Sequence, residues 1–246
     1  MQGNVGIEAL DLLAVVPHPD DAELLCGGTL AIAADRGHRT GVCDLTLGEM
    51  GSRGSVEERR REAASASEIL GLAHRESLEL SDTAIADVHE QRVRVVELIR
   101  RLRPRTVILP HWHGRHPDHA ASAALVKNAA FLAGLRSFAP ESGAPHKPHK
   151  LLYAAAYRDH DATPSFVVDV TPVFERKMRA IRCYASQFDG RDQGGELFPT
   201  GRDFYASVEV KCAFYGSLIQ VSYGEPFTTI EPLAVEDVVS LPVASI

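Results

Sequence analysis

Residues 12–21 read LLAVVPHPDD: five apolar residues, Leu12 to Val16, stopped by Pro17 and followed at once by His18-Pro19-Asp20-Asp21. A short unbroken apolar run without period-two alternation suits a strand buried on both faces of a parallel sheet. The residues that follow put a histidine and two carboxylates where such a strand opens into its loop. Residues 24–36 (LLCGGTLAIAADR) then read as a helix stopped at Gly37, and Thr40–Thr46 (TGVCDLT) as a second strand, which completes a βαβ unit. The fold class expected is α/β, a Rossmann-like three-layer sandwich on a mostly parallel sheet.

The same alternation continues outward. A glycine-rich loop, GEMGSRGS at 48–55, leads to a helix from Val56 to Leu70 ended by Gly71, and Ser77–Leu80 reads as a short strand. An amphipathic helix from Val88 to Arg103 places Val95, Val96, Ile99 and Leu102 at helical spacing before the apolar strand Thr106–Leu109. Pro117 to Leu135 reads as a helix opened by proline, and 137–150 as an irregular surface loop or lid. Strands at 151–157 and 166–170, a helix from Pro172 to Ala185 and an amphipathic segment from Phe204 to Gln220 complete the pattern.

With 246 residues and 45% hydrophobic content, the chain is expected to form one domain spanning 1–246. A net charge of −7 argues against a surface built to neutralise nucleic-acid phosphates or anionic lipid, so the expected partner is a small molecule. Cys26, Cys43, Cys183 and Cys212 form no CxxC pair and read as reduced, buried thiols. The first sixteen residues lack a basic n-region and a spanning apolar run, which makes a cytoplasmic location the expectation.

The tripeptide HPD recurs as His116-Pro117-Asp118-His119, again a few residues after an apolar strand. Loops after the strands of an open parallel sheet gather at its carboxyl edge, so two motifs distant in sequence can face one crevice. In each motif the first and fourth residues, His18 with Asp21 and His116 with His119, are spaced to face one side of a turn. Catalytic zinc needs three nitrogen or oxygen ligands and leaves a position to water. His18, Asp21 and His119 supply two imidazoles and a carboxylate, and the cationic centre they would hold polarises an amide and activates water. Fe2+ or another divalent metal suits the same donors.

Asp20, beside the ligand Asp21, is then the expected general base. His116 is left as an imidazolium to stabilise the oxyanion and protonate the departing amine, with Asp118 holding its ring and raising its pKa. His111 and His113, alternate residues of HWHG, form a competing ligand pair. A reading from another class is a non-catalytic sugar- or nucleotide-binding module that holds an anion at the Gly27-Gly28-Thr29 helix start.

HPDDAELLCGGTLA and RHPDH resemble the zinc deacetylases of the LmbE-like, or PIG-L, superfamily. GEMGSRGS, ERRREAASASEILG, PSFVVDVT, CYASQF and FYGSLIQVSYGEPF are similar to its bacillithiol-biosynthesis branch, which deacetylates N-acetylglucosaminyl L-malate, across about residues 10–228. The resemblance implies the same zinc ligands, the same roles for Asp20, His116 and Asp118, and a homo-oligomer such as a hexamer. It also implies Arg53 as a clamp for the malate carboxylates, with Glu49, Met50 and Arg115 lining the substrate, and Tyr205 reaching the reacting carbonyl. HWHG, the loop 137–150 and the tail from Thr228 depart from the branch, and they bear on the substrate: inositol, thiol and chitin conjugates of N-acylated amino sugars are the alternatives.

Overall fold

A computed structural model of the chain describes residues 9–155, 163–189 and 203–243. The opening strand β1 (Leu12–Val16) is buried at every residue, and its two faces go to different cores. Leu13 and Val15 pack with Val95, Val96, Ile99, Leu125 and Val126, whereas Leu12, Ala14 and Val16 pack with Ala22, Leu25 and Leu30. Alternation is absent from its sequence because neither face meets water.

β1 pairs in parallel with β2 (Thr40–Thr46) on one side and β4 (Thr106–Pro110) on the other. β3 (His74–Leu80) continues beyond β2 and β5 (Lys150–Ala154) beyond β4, both in parallel. β7 (Gly224–Thr228) then runs antiparallel to β5 and to the edge strand β6 (Phe166–Asp169). The seven-stranded order is β3-β2-β1-β4-β5-β7-β6, so the chain reverses direction of growth between β1 and β4. A crevice for a ligand opens at the carboxyl ends of two strands that diverge in this way.

Helices cover both faces. α3 (His89–Leu102) and α4 (Pro117–Leu132) share one core, and α1 (Asp21–Asp35), α2 (Val56–Leu70), α5 (Phe174–Arg182), α6 (Ala185–Phe188) and α7 (Phe204–Ser217) contribute to the cores on the other side. The expected α/β sandwich is the observed one. α2 begins with a capping box between Ser55 and Glu58 and stops at Gly71 in the left-handed region, as its sequence signals require.

Three elements differ from expectation. α1 starts at Asp21, inside the first motif, and kinks at Cys26 (φ −147°, ψ 18°), which gives its second half a new amino end. Glu225 of β7 occupies that end: Gly28 and Thr29 donate their N–H groups to its carboxylate at 2.8 and 2.7 Å, and buried Lys177 donates to it at 2.6 Å. A Cβ on Gly28 would stand 2.7 Å from Val170, so close helix packing dictates glycine there. β7 itself is the strand unseen in the sequence. The helix expected from Pro172 to Ala185 is shorter, preceded by a 3-10 turn at Thr171–Val173.

All four cysteines are free thiols, with Cys26, Cys43 and Cys212 buried. Among the described residues no helix is long and apolar enough to cross a membrane.

Candidate metal centre

Pro17 ends β1, and the chain turns through His18-Pro19-Asp20 straight into α1. Asp20 sits at φ 108°, ψ −28°, a strained conformation for a residue with a Cβ. After β4 the second motif enters α4, with Pro117 at the first helical position and His116 as N-cap, its ring accepting the Asp118 N–H. The two turns meet across the β1/β4 divergence.

His18, Asp21 and His119 converge with donor atoms mutually within 4.8 Å, and His18, His116 and Asp118 form a second such group sharing His18. The Asp21 carboxylate bridges the two imidazoles of the first group, with Oδ2 3.1 Å from His18 Nδ1 and Oδ1 3.1 Å from His119 Nε2. Burial acts to raise the Asp21 pKa, yet the charge and hydrogen bonds of His119 and His18 take it well below the usual range. Burial likewise acts to lower His119 and His18, but Asp21 raises the first, and the bonds to Asp21 and Asp82 lift the second to about 11. Protons held between a carboxylate and two imidazoles mark a place where one divalent cation can replace them. Two ring nitrogens and one carboxylate oxygen fit the three-ligand set of a catalytic site.

The Asp20 carboxylate lies beside this group, and its Oδ2 accepts from Arg59 Nη2 at 3.0 Å. Burial pushes its pKa up to about 7, against the pull of the Arg59 charge. A carboxyl group poised there can take a proton from water near neutral pH. Arg59 also donates to Pro19 O at 3.0 Å and Gly48 O at 2.9 Å, tying the first motif to the glycine-rich loop. Its guanidinium fills the space a Cβ on Gly48 would need.

Asp118 lies elsewhere than the sequence suggests. Its carboxylate accepts the Thr83 N–H at 2.9 Å and stands 3.3 Å from His18 Nε2, while its main-chain N–H reaches His116 Nδ1 at 3.3 Å. His116 therefore carries its proton on Nε2. Burial, together with the charges of His18 and His119, depresses its pKa rather than raising it.

Three residues of this neighbourhood went unread in the sequence. Asp82 Oδ1 is 3.1 Å from His18 Nε2, Thr83 serves Asp118 as described, and Arg59 holds Asp20. Ser81-Asp82-Thr83 looks like any polar turn, although its place after β3, at the same sheet edge as the motifs, was a usable signal. Arg59 is the buried member of a run of three arginines that reads as a solvated helix face.

The glycine-rich loop leans on this turn. Glu49 accepts the Asp82 N–H at 2.7 Å, and the Met50 N–H donates to Asp82 Oδ2 at 3.0 Å, with the Met50 side chain exposed. Arg53 donates to Asp189 O at 3.0 Å, and the Tyr205 hydroxyl donates to Asp189 Oδ1 at 2.7 Å, so these two meet at Asp189 rather than in the metal cluster. Arg115 is exposed next to His116. The competing pair is not part of either metal-capable group: buried His111 stacks on Trp112 at 4.0 Å and accepts the His113 N–H at 3.2 Å.

Comparison with known proteins agrees with this geometry. A family model described as PIG-L: GlcNAc-PI de-N-acetylase matches residues 13–130, which include both motifs. A diacetylchitobiose deacetylase from Thermococcus kodakarensis is 34% identical over 188 residues, covering 72% of this chain and 70% of its own. The chain belongs to the PIG-L family. As a PIG-L protein it is a hydrolytic N-deacetylase. A probable N-acetyl-alpha-D-glucosaminyl L-malate deacetylase 2 from Bacillus cereus is 27% identical, covering 72% of this chain and 83% of the relative. The solved structure of a conserved protein from Thermus thermophilus is 41% identical and superposes with a TM-score of 0.82 over 92% of this chain and 97% of that one.

Proposed function

We propose that this PIG-L protein uses zinc to remove the acetyl group from an N-acetylglucosaminyl conjugate, with N-acetylglucosaminyl L-malate as the substrate. The observation that carries the chemistry is the cluster of His18, Asp21 and His119 with a raised-pKa Asp20 beside it. His18, Asp21 and His119 would hold the cation, which when bound supplies Lewis-acid polarisation of the amide and lowers the pKa of water.

Asp20 takes the proton of the attacking water. Arg59 engages Oδ2, so the proton goes to Oδ1, and the same guanidinium keeps the carboxyl group from turning away. His116 presents Nε2–H to the oxyanion of the tetrahedral adduct, because its Nδ1 is already committed to the Asp118 N–H. Collapse of the adduct breaks the C–N bond, and the amine leaves with the proton that Asp20 took from the water, while His116 keeps its Nε2–H on the oxyanion until the adduct breaks down. Asp118 orients His116 through its backbone and supports His18 through its carboxylate.

The malate reading draws on the likeness to the Bacillus cereus protein and on Arg53 and Arg115, whose planar cationic forks suit carboxylates. Glu49 and Met50 line the same loop, and Tyr205 stands beyond Asp189 as a phenol for the sugar or carbonyl. A second reading, a chitin disaccharide, is favoured by the higher identity to the Thermococcus kodakarensis deacetylase. The homo-oligomer belongs to the proposal too.

The test is amine release from N-acetylglucosaminyl malate, diacetylchitobiose and N-acetylglucosamine by metal-free protein before and after one equivalent of zinc. Zinc-dependent release that prefers the malate conjugate supports the reading. Preference for the disaccharide moves the substrate to the second, and release without any response to added metal or to chelator overturns the metal mechanism.

A further inference from the structure

Asp82 is 4% exposed at its side chain, belongs to neither metal-capable group, and has no place in the proton transfers above. It nevertheless faces His18, the one residue that both groups share. The two ring nitrogens of His18 look in opposite directions: Nδ1 toward Asp21 at 3.1 Å, Nε2 toward Asp82 at 3.1 Å and Asp118 at 3.3 Å. Asp118 Oδ2 is already shared with the Thr83 N–H at 2.9 Å, so Asp82 Oδ1 is the nearer and less divided acceptor.

We infer that Asp82 is a positioning residue that takes the Nε2–H of His18, leaves Nδ1 as the ligand nitrogen, and ties that ring to the 47–54 loop. The inference rests on the metal reading of His18, Asp21 and His119. A histidine that binds a metal through one nitrogen is held in tautomer and orientation by an acceptor at the other, and losing that acceptor typically costs roughly 10- to 100-fold in affinity or activity. The link to the loop is reciprocal. Met50 donates its N–H to Asp82 Oδ2 at 3.0 Å while Asp82 donates its own to Glu49 Oε1 at 2.7 Å, so residues 49–50 and 82 are latched by two bonds. Substrate contacts made by this loop therefore act on the carboxylate that orients a metal ligand, and zinc affinity and substrate affinity are coupled through Asp82.

The experiment compares the parent with Asp82→Ala, which removes both acceptor oxygens, the one facing His18 and the one facing Met50. Zinc affinity is measured by competition with a chromophoric chelator, the protonated nitrogen of His18 by nitrogen-15 NMR of the zinc-loaded protein, and the Met50 amide by hydrogen exchange. The expected results are a Nε2-protonated His18 in the parent, zinc affinity about 10- to 100-fold weaker in the variant, and faster exchange at Met50. Equal zinc affinity in parent and variant overturns the inference, and so does a parent whose His18 is protonated on Nδ1. The NMR arm needs only the parent, so it decides the matter even if the variant fails to fold. A parent that takes up no zinc sinks the metal reading itself, which separates the two failures.

Discussion

Asp20 is held under two opposing demands. Its backbone is strained at φ 108°, and its carboxyl is buried with a pKa pushed up to about 7, yet Arg59 offers it a charged hydrogen bond at 3.0 Å. Asp20→Asn preserves the shape and an acceptor for Arg59 but removes the base, so turnover should fall by about 10²- to 10⁴-fold with zinc content unchanged by metal analysis. Undiminished turnover in that variant assigns the base elsewhere. Arg59→Met removes the donor to Asp20, Pro19 O and Gly48 O at once. Breaking such a buried pair from one side costs about 3–5 kcal/mol, which denaturant unfolding of the metal-free protein should detect, together with a lower kcat. The convergence of His18, Asp21 and His119 into one metal-capable group was legible because three-residue spacing after two apolar strands is unusual for a solvated histidine and aspartate. Asp82 and Arg59 were not, because a single acid in a turn and one arginine among three carry no periodicity. Only the fold decides which of them is buried.

The kink in α1 shows how a local irregularity is stabilised by a distant strand. Cys26 breaks the helix, and Glu225 receives the newly exposed N–H groups of Gly28 and Thr29. The anion site that a binding-module reading would give to a ligand is thus filled by the protein's own carboxylate. Gly28→Ala would press a methyl to 2.7 Å from Val170 Cγ1 and 3.1 Å from Glu225 Oε1. Overpacking of this kind costs about 1–3 kcal/mol, seen as a Tm lower by roughly 2–4 °C for each kcal/mol; an unchanged Tm would mean that Val170 moves aside freely. Lys177 adds a pH dependence. Burial acts to lower its pKa, but the Glu225 charge and hydrogen bond raise it above the ordinary lysine value. Its contribution is therefore complete below the unfolded pKa near ~10.4 and is lost as pH rises through the folded one. The stability gap between the parent and Lys177→Met, measured by urea unfolding, should be constant from pH 7 to 9 and narrow above about pH 10.5; a gap that widens there would show that Lys177 is folded neutral. β7 escaped the sequence because Gly224, Glu225 and Pro226 read as a turn. Pro226 is tolerated where β7 runs past its two paired residues with β5, its carbonyl taking the Ala155 N–H at 3.3 Å.

At the scale of the whole molecule, the alternation of buried strands and amphipathic helices fixed the class of fold, since only a sheet covered on both sides can bury runs such as Leu12–Val16. What lies outside that core follows no such rule. Val210 and Phe214 on α7 and Leu218 at its C-cap are 69%, 58% and 50% exposed, and their four-residue spacing aligns them on one side of the helix. The tail adds Leu233, Val238 and Val239, also exposed, in a stretch that forms no helix or strand of its own. An apolar stripe beside a helix and an apolar segment of this kind are surfaces that water opposes, and the described residues of a single chain leave both exposed. The proposed homo-oligomer would cover them. Sedimentation equilibrium should therefore give a mass that is a multiple of one chain, and Phe214→Asp with Val210→Asp should shift the protein toward the single chain. The metal cluster is built from the loops after β1 and β4, not from α7, so the dissociated variant should still bind one zinc per chain. A parent that sediments as a single chain at micromolar concentration would remove the oligomer from the proposal while leaving the metal chemistry untouched.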